Sequence, residues 1–414
     1  MTRDAWIVLT AVTVAWIFDA VDSTIYSLTI PSIKDEFHLT MTAMGWIGTA
    51  FMAGSAIGAL LMPALAEKYG RRWGMAGCIL LYSMFTCLVG FSRSVGSVGA
   101  ARLLTGVGTG GEWPIGAAYL ADLVPTRKRG FMMGIMQSGF PVGYFAAGLI
   151  FAAVTTLGFG WRTNYYVMIV PGIILIPILL RLRESPTWLS THVRAKAAPR
   201  TDGKLGRGSY RSLIGTEHIG STIRSTLVQF CGNFYGWAIN IWLPSAMMLD
   251  FGVSKTETAF MIMLMWGIGI FGYIGSGYVQ DIVGRRFSYS AYMVVALIVT
   301  SCLCMAQILG IQPPIAVLYA TCVILGLTMG EATIRITYSS EIFRPNVRGI
   351  GIGFSVGVAK LLVMFCPALL GAMAERTSVS AALVVASVVG VLSIPVLYSG
   401  PETGGRRVAA QAVS

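Results

Sequence analysis

Apolar residues along this chain do not recur at the 3.6-residue spacing of a soluble amphipathic helix. They run in long blocks separated by short polar turns, and such blocks need lipid as their solvent. Twelve can be bounded, at 5–30, 43–66, 73–92, 98–122, 130–156, 164–181, 224–249, 256–280, 287–309, 314–340, 349–373 and 379–399. Each is near the ~20 residues that cross a hydrocarbon core, where a backbone must satisfy its own hydrogen bonds and a helix does so. The predicted fold class is therefore an all-α membrane protein with twelve transmembrane helices. The first block, from Trp6 to Ile30, is too long for a signal-peptide core and ends without a small-residue cleavage site, so it is expected to be a span.

The blocks repeat. The stretch from Arg102 to Gly130 has a second copy 219 residues on: Glu112, Tyr119, Asp122, Arg129, Gly130 and Gly134 match Glu331, Tyr338, Glu341, Arg348, Gly349 and Gly353 without a gap. The chain is expected to comprise a six-helix half over 1–181, a linker over 182–223 and a second six-helix half over 224–414. The linker is rich in Arg, Lys, Gly, Ser and Thr, with room for a short surface helix.

Composition agrees, with 55% hydrophobic and 12% charged residues. The net charge of +12 would suit a nucleic-acid partner until the charges are placed. With the N-terminus inside, 22 of the 30 Lys and Arg fall on the cytoplasmic face, five on the other face and three within spans. That bias is a topology signal, and it predicts a multi-pass protein of the plasma (inner) membrane with both termini cytoplasmic and no nucleic-acid partner. The seven cysteines have no paired spacing and no flanking histidines, so neither disulfides nor metal ligands are expected. No P-loop, HExxH or nucleophile elbow is present. The glycine-rich Gly106–Trp113 run lacks a preceding strand, so no nucleotide cofactor is expected and an enzyme is not the expected class.

Several motifs then identify a family. Glu67-Lys68-Tyr69-Gly70-Arg71-Arg72 and Asp281-Ile282-Val283-Gly284-Arg285-Arg286 resemble the acid-x-x-Gly-Arg-Arg loop of the major facilitator superfamily. Arg102 and the glycines after it resemble that family's fourth-span motif. Arg183-Glu184-Ser185-Pro186-Thr187-Trp188-Leu189 and Pro401-Glu402-Thr403-Gly404 are similar to signatures of the sugar porters and their metabolite–proton symporter relatives. Gly110-Gly111-Glu112-Trp113 is more like the sialate–lactate proton symporters and related organic-acid carriers. Asp19-Ala20-Val21-Asp22 resembles the Asp-Gly-x-Asp of aromatic-acid–proton symporters, with Ala20 in place of glycine. Both relatives imply uptake of a carboxylate with protons, the proton being the only coupling agent.

The charges inside the spans point the same way, because each costs about 2.5–3.5 kcal/mol at bilayer depth and needs a partner or a job. They are Asp19, Asp22, Arg102, Glu112, Glu331, Arg335 and Lys360. Asp19 and Asp22, at i and i+3, share a face with Tyr26 a turn beyond; two acids so close cannot both ionise easily, which suits proton coupling. The plainer alternative is that one of them pairs with Arg102. Glu112 reads equally as a proton carrier or a hydrogen-bond hub. Glu331 and Arg335, at i and i+4, either neutralise each other or leave Arg335 to clamp a carboxylate. Lys360 has no obvious local partner and suits an incoming anion. The expectation that follows separates proton handling in the N-terminal half from anion binding in the C-terminal half.

Polar and aromatic side chains complete the expected lining: Gln137 and Tyr144 at i and i+7, and Asn233, Trp237 and Asn240 in a helical stripe. Glu67, Arg71, Arg72, Asp281, Arg285 and Arg286 are expected to form bridges that change between states of a carrier, with Asp122–Arg129 and Glu341–Arg348 repeating that possibility. The reading is a monomeric alternating-access carrier, importing an organic anion with protons. A sugar or polyol symporter is the second reading. An exporter of cations, and a transport-inactive sensor, come after it.

Overall fold

The computed structural model of the chain describes residues 3–39, 41–181, 183–190 and 210–404. Each of the twelve predicted spans is helical. In chain order the helices are α1 (Arg3–Glu36), α2 (Met41–Tyr69), α3 (Arg71–Gly90), α4 (Val95–Leu123), α5 (Thr126–Gln137), α6 (Gly139–Thr156), α7 (Arg162–Tyr166) and α8 (Val170–Arg181). They continue as α9 (Tyr210–Leu213), α10 (Ile219–Leu249), α11 (Lys255–Val283), α12 (Arg285–Ile308), α13 (Ile315–Thr328), α14 (Glu331–Ile342), α15 (Arg348–Val363), α16 (Cys366–Arg376) and α17 (Val379–Tyr398). Residues 191–209 of the predicted linker lie outside the described residues; α9 is the short helix beyond them.

Among the described residues nine helical runs are long and apolar enough to cross a bilayer on composition alone. The spans that do not meet that measure are α4, α10 and the α15–α16 run. These carry Arg102 and Glu112, Gln229 and Asn233, and Lys360 respectively. In α4 and α10 these polar groups dilute the apolar run, whereas the α15–α16 run is interrupted at Met364–Phe365, leaving helices of 16 and 11 residues.

The chain forms two compact units, and neither is a plain half of the sequence. One comprises Met1–Pro125, Gly139–Thr222 and Ser339–Leu361; the other comprises Thr126–Ser138, Ile223–Tyr338 and Leu362–Ser414. In the first unit α4 packs along both α2 and α3, α1 along α6, and α3 along α8. In the second, α11 packs along α5 and α13, and α12 along α17.

Glycine sets the α2–α4 distance. A Cβ on Gly54 would sit 1.9 Å from the Leu103 carbonyl oxygen, and one on Gly110 would sit 1.9 Å from that of Ser55. Backbones this close exclude any side chain, and without a hydrophobic drive between helices in lipid it is such contact that holds them.

Two turns are built alike. Gly70 (φ 118°) and Gly284 (φ 102°) adopt left-handed backbone open to glycine. Each turn delivers the start of the next helix onto a carboxylate. Glu184 accepts from the Arg71 and Arg72 amides at 2.8 and 3.3 Å, and Glu402 accepts from those of Arg285 and Arg286 at 2.8 and 3.1 Å. A negative charge at a helix N-terminus satisfies orphan amides and opposes the dipole. At the opposite end of the first unit, Glu36 accepts from the Trp161 indole at 2.8 Å and from Arg162, and these bonds hold its carboxyl below the usual carboxylate range. That latch is intact at neutral pH and loosens only as acid protonates Glu36.

Gly110→Val should therefore destabilise the protein by about 1–3 kcal/mol through overpacking. Gly148→Val, where a Cβ meets nothing within 4 Å, should leave thermal unfolding in detergent unchanged. Equal melting of both variants would contradict this account of the α2–α4 contact.

Candidate functional site

The first unit holds a buried ion pair. Arg102 of α4 donates to Asp22 of α1 at 2.7 Å, and Thr86 of α3 donates to the other Asp22 oxygen at 2.9 Å. The guanidinium lies over the rings of Tyr26 and Phe51, 4.6 and 4.3 Å from their centroids, while the Tyr26 hydroxyl donates to the Met44 carbonyl at 2.7 Å. Asp22 and Arg102 are both essentially inaccessible. One charge pair, two ring faces and two hydroxyls thus tie α1, α2, α3 and α4 together.

One turn earlier on α1 the chemistry differs. Asp19 keeps a buried oxygen with no hydrogen-bond partner, and Glu112 of α4 keeps two. The acids expected to share a proton therefore part company. Asp22 is taken by Arg102, and Asp19 faces Glu112 within electrostatic reach.

Lys360 joins them. Its ammonium donates to the Ser55 hydroxyl at 2.7 Å and lies within electrostatic reach of both Asp19 and Glu112. The cause is the glycine contact described above, since Ser55 rides against Gly110, two residues before Glu112. This corrects the expected separation of acids from cations. Lys360 comes from the second half of the sequence, yet it stands in the first unit among the acids.

An aromatic ladder flanks this cluster. Trp16, a turn before Asp19, stacks on Trp113, the neighbour of Glu112, with centroids 5.7 Å apart and planes 12° from parallel. Phe140 of α6 lies 5.4 Å from Trp16, and Tyr144 lies 5.2 Å from Phe140. Sequence reasoning singled out Tyr144 and Trp113 and missed Trp16, Phe140, Ser55 and Thr86. The i, i+3 spacing of Trp16 and Asp19 was the available signal.

In the second unit Arg335 donates through Nε and Nη2 to both oxygens of Glu331 at 3.1 Å. Its Nη1 donates to the Gln229 carbonyl and side chain at 3.0 and 3.1 Å. All three nitrogens of the guanidinium are occupied, so Arg335 meets the self-neutralising alternative in this conformation. Asn233, Trp237 and Asn240 lie half-buried along α10, with Asn233 donating back to the Gln229 carbonyl at 2.8 Å. Gln137 is buried in the second unit and Tyr144 belongs to the first, so their shared face is not realised on one uninterrupted helix; the run breaks at Ser138.

The loop motifs form two matching clusters. Glu67 accepts from Arg71 at 2.8 Å and from the Gly349 amide at 3.2 Å, within the first unit. Asp281 accepts from Arg285 at 2.7 Å and from the Gly130 and Phe131 amides at 3.1 and 2.9 Å, within the second. Asp122 accepts from Arg348 at 2.5 Å and from Ser185 at 2.8 Å. Arg72 reaches the Leu180 carbonyl at 3.3 Å, and Arg286 covers the Tyr398 ring at 5.5 Å.

The family model described as the Major Facilitator Superfamily matches residues 12–330 and 225–413 of the chain. The chain belongs to the major facilitator superfamily. It is thus a multi-pass membrane carrier and not an enzyme. Among curated members of the superfamily it is similar to the cis,cis-muconate transport protein of Acinetobacter baylyi, with 28% identity over 90% of this chain and 88% of that protein. It is also similar to the benzoate transport protein of the same organism, at 24% identity over 90% and 84%. Among solved structures of the superfamily, a proton:xylose symporter superposes with a TM-score of 0.81 at 17% identity, covering 97% of each chain.

Removing one member of the Asp22–Arg102 pair should strand a buried charge at a cost of about 3–5 kcal/mol, and removing both should cost less. Asp22→Asn and Arg102→Met are each expected to melt earlier in detergent than the double variant. A double variant less stable than either single one would show that the pair is not a closed unit.

Proposed function

We propose that this superfamily carrier imports an organic anion, a carboxylate with an aromatic or unsaturated skeleton, together with protons by alternating access. The observation that carries the reading is one cation set against two acids with open oxygens, beside a stacked aromatic ladder. With both acids ionised this cluster holds one net negative charge in a low-dielectric setting. One proton balances it, and a substrate carboxylate arriving at Lys360 calls for a second neutralising step. The acids and the substrate carboxylate then compete for the same cation, so protonating an acid frees Lys360 for the substrate, which is the elementary requirement of symport. The ladder of Trp16, Trp113, Phe140 and Tyr144 supplies faces on which a planar acid stacks. The relatives named for muconate and benzoate support the carboxylate, and the Asp-x-x-Asp of α1 supports the aromatic class.

In this reading Asp22 and Arg102 are the frame, Asp19 and Glu112 carry the proton, and Lys360 meets the substrate. Glu331 and Arg335 hold the second unit as a closed pair. The Glu67–Arg71 and Asp281–Arg285 clusters, and the Asp122–Arg348 bridge, are the contacts that change as the carrier alternates. A plasma-membrane address, cytoplasmic termini and a working monomer complete the proposal. An inward proton contributes about 2.3 kcal/mol per charge per 100 mV to accumulation. A sugar or polyol symporter is the second reading, favoured by the half-buried Asn233 and Asn240 on α10.

Uptake into proteoliposomes under an inward proton gradient tests this, with labelled benzoate and cis,cis-muconate beside xylose. Carboxylate accumulation that collapses with a protonophore is expected. Lys360→Met should raise the carboxylate KM tenfold or more, as loss of a charge-assisted contact of about 1.5–3 kcal/mol requires. Glu112→Gln should abolish accumulation. Xylose uptake with inert carboxylates would move the assignment to the second reading.

A further inference from the structure

The turn that joins α2 to α3 twice sets a cation before an aromatic ring, as Lys68 then Tyr69 and as Arg72 then Trp73. The matching turn of the second copy keeps the acid, the glycine and both arginines, but Ile282 and Val283 replace Lys68 and Tyr69. The turn itself therefore does not require this first pair.

What the two pairs frame is a groove. Helices α2 and α3 bound a cavity of about 370 Å³, lined by Met62, Leu65, Tyr69, Trp73, Gly74 and Gly77. That volume lies within the ~300–1,000 Å³ typical of small-molecule sites. Gly74 seats α3 on α2, since a Cβ there would come within 2.3 Å of the Ala66 Cβ. Gly77 does not: its Cβ would meet only the Met62 terminal methyl, at 3.6 Å, so the missing side chain leaves room.

The mouth of the groove is charged. The Lys68 ammonium lies 4.8 Å from the Tyr69 ring centroid, and the Arg72 guanidinium lies 5.6 Å from that of Trp73. Cation–π contact thus holds one positive charge on each ring that lines the groove. Tyr69 and Trp73 are 57% and 51% exposed at a span end, where amphipathic rings meet the membrane–water boundary. Among the described residues Lys68 has no carboxylate partner. Arg72 also touches the Leu180 carbonyl and lies 4.0 Å from Glu184, and its side chain stays 30% exposed. The nearby acids are engaged, Glu67 with Arg71 and the Gly349 amide, Glu184 with the first amides of α3.

An apolar groove facing a bilayer accepts any acyl chain and by itself selects nothing. Two cations at its mouth select a negative headgroup. We propose that this groove binds an anionic phospholipid, with one acyl chain between α2 and α3 and the phosphate between Lys68 and Arg72. A zwitterionic lipid brings the same phosphate with an ammonium that the two cations repel. A soluble organophosphate brings the charge and leaves the groove empty. The occupant the site fits has both parts, and it is separate from the transported substrate.

Native mass spectrometry of the full chain in detergent tests this, titrating phosphatidylglycerol against phosphatidylcholine of the same acyl chains. Phosphatidylglycerol should be retained about tenfold more tightly, as two added charge contacts imply. Lys68→Gln should remove most of that preference. Gly77→Leu, which fills the groove, should weaken both lipids about tenfold, and glycerol 3-phosphate should displace neither. Equal retention of the two lipids by the parent would overturn the proposal. Displacement by glycerol 3-phosphate would mean a small-anion site and overturn it too. So would binding unchanged in both variants, as when another segment of the chain covers the groove. Thermal unfolding shows whether Gly77→Leu keeps its fold; if it does not, Lys68→Gln, at an exposed position, decides alone.

Discussion

The cost of holding a charge in hydrocarbon governs this structure. Seven ionisable side chains lie deep within the spans, and the fold sorts them into two kinds. Asp22 with Arg102, and Glu331 with Arg335, are closed pairs whose donors and acceptors meet one another. Asp19, Glu112 and Lys360 are an open group with more acids than bases. Closed pairs hold helices together and ask nothing further of the solvent or a ligand. An open group stays neutral only by taking up protons or ions, which is the property a carrier uses.

Close glycine packing decides which charges fall into which kind. The contact of Gly110 with the Ser55 carbonyl sets α2 against α4, and through Ser55 it sets Lys360 beside Glu112. A bulkier α4 would hold α2 off and take Lys360 with it. The same economy appears on α3, where Gly108 and Gly111 let Tyr82 and Cys78 approach the α4 backbone. Small residues here position chemistry on the neighbouring helix.

Much of this was legible in the sequence, and the gaps have physical causes. Block length read out the spans, because lipid imposes a length on what crosses it. The ion pair between Glu331 and Arg335 was legible because i and i+4 on one helix is a local relation. The partnership of Asp22 with Arg102 could be named only as an alternative, since it joins residues 80 apart. Lys360 was placed on the wrong side because no local pattern reports which backbone a lysine reaches across to.

The repeat shows how one acid came to two fates. Glu112 and Glu331 occupy the same place in the duplicated, ungapped stretch, and four residues on the copies diverge: Arg335 stands where the first copy has Gly116. In the second copy the arginine folds back on its own glutamate and closes the charge. In the first copy a glycine both removes that partner and lets α1 approach, since a Cβ on Gly116 would lie 2.6 Å from Val12 Cγ1. Helix α1 carries Asp19, so the change that strips Glu112 of a base also admits a second acid beside it. A side chain at 116 would meet Val12 at its Cβ, so an ion pair like that of the second copy would need α1 or Val12 to give way first.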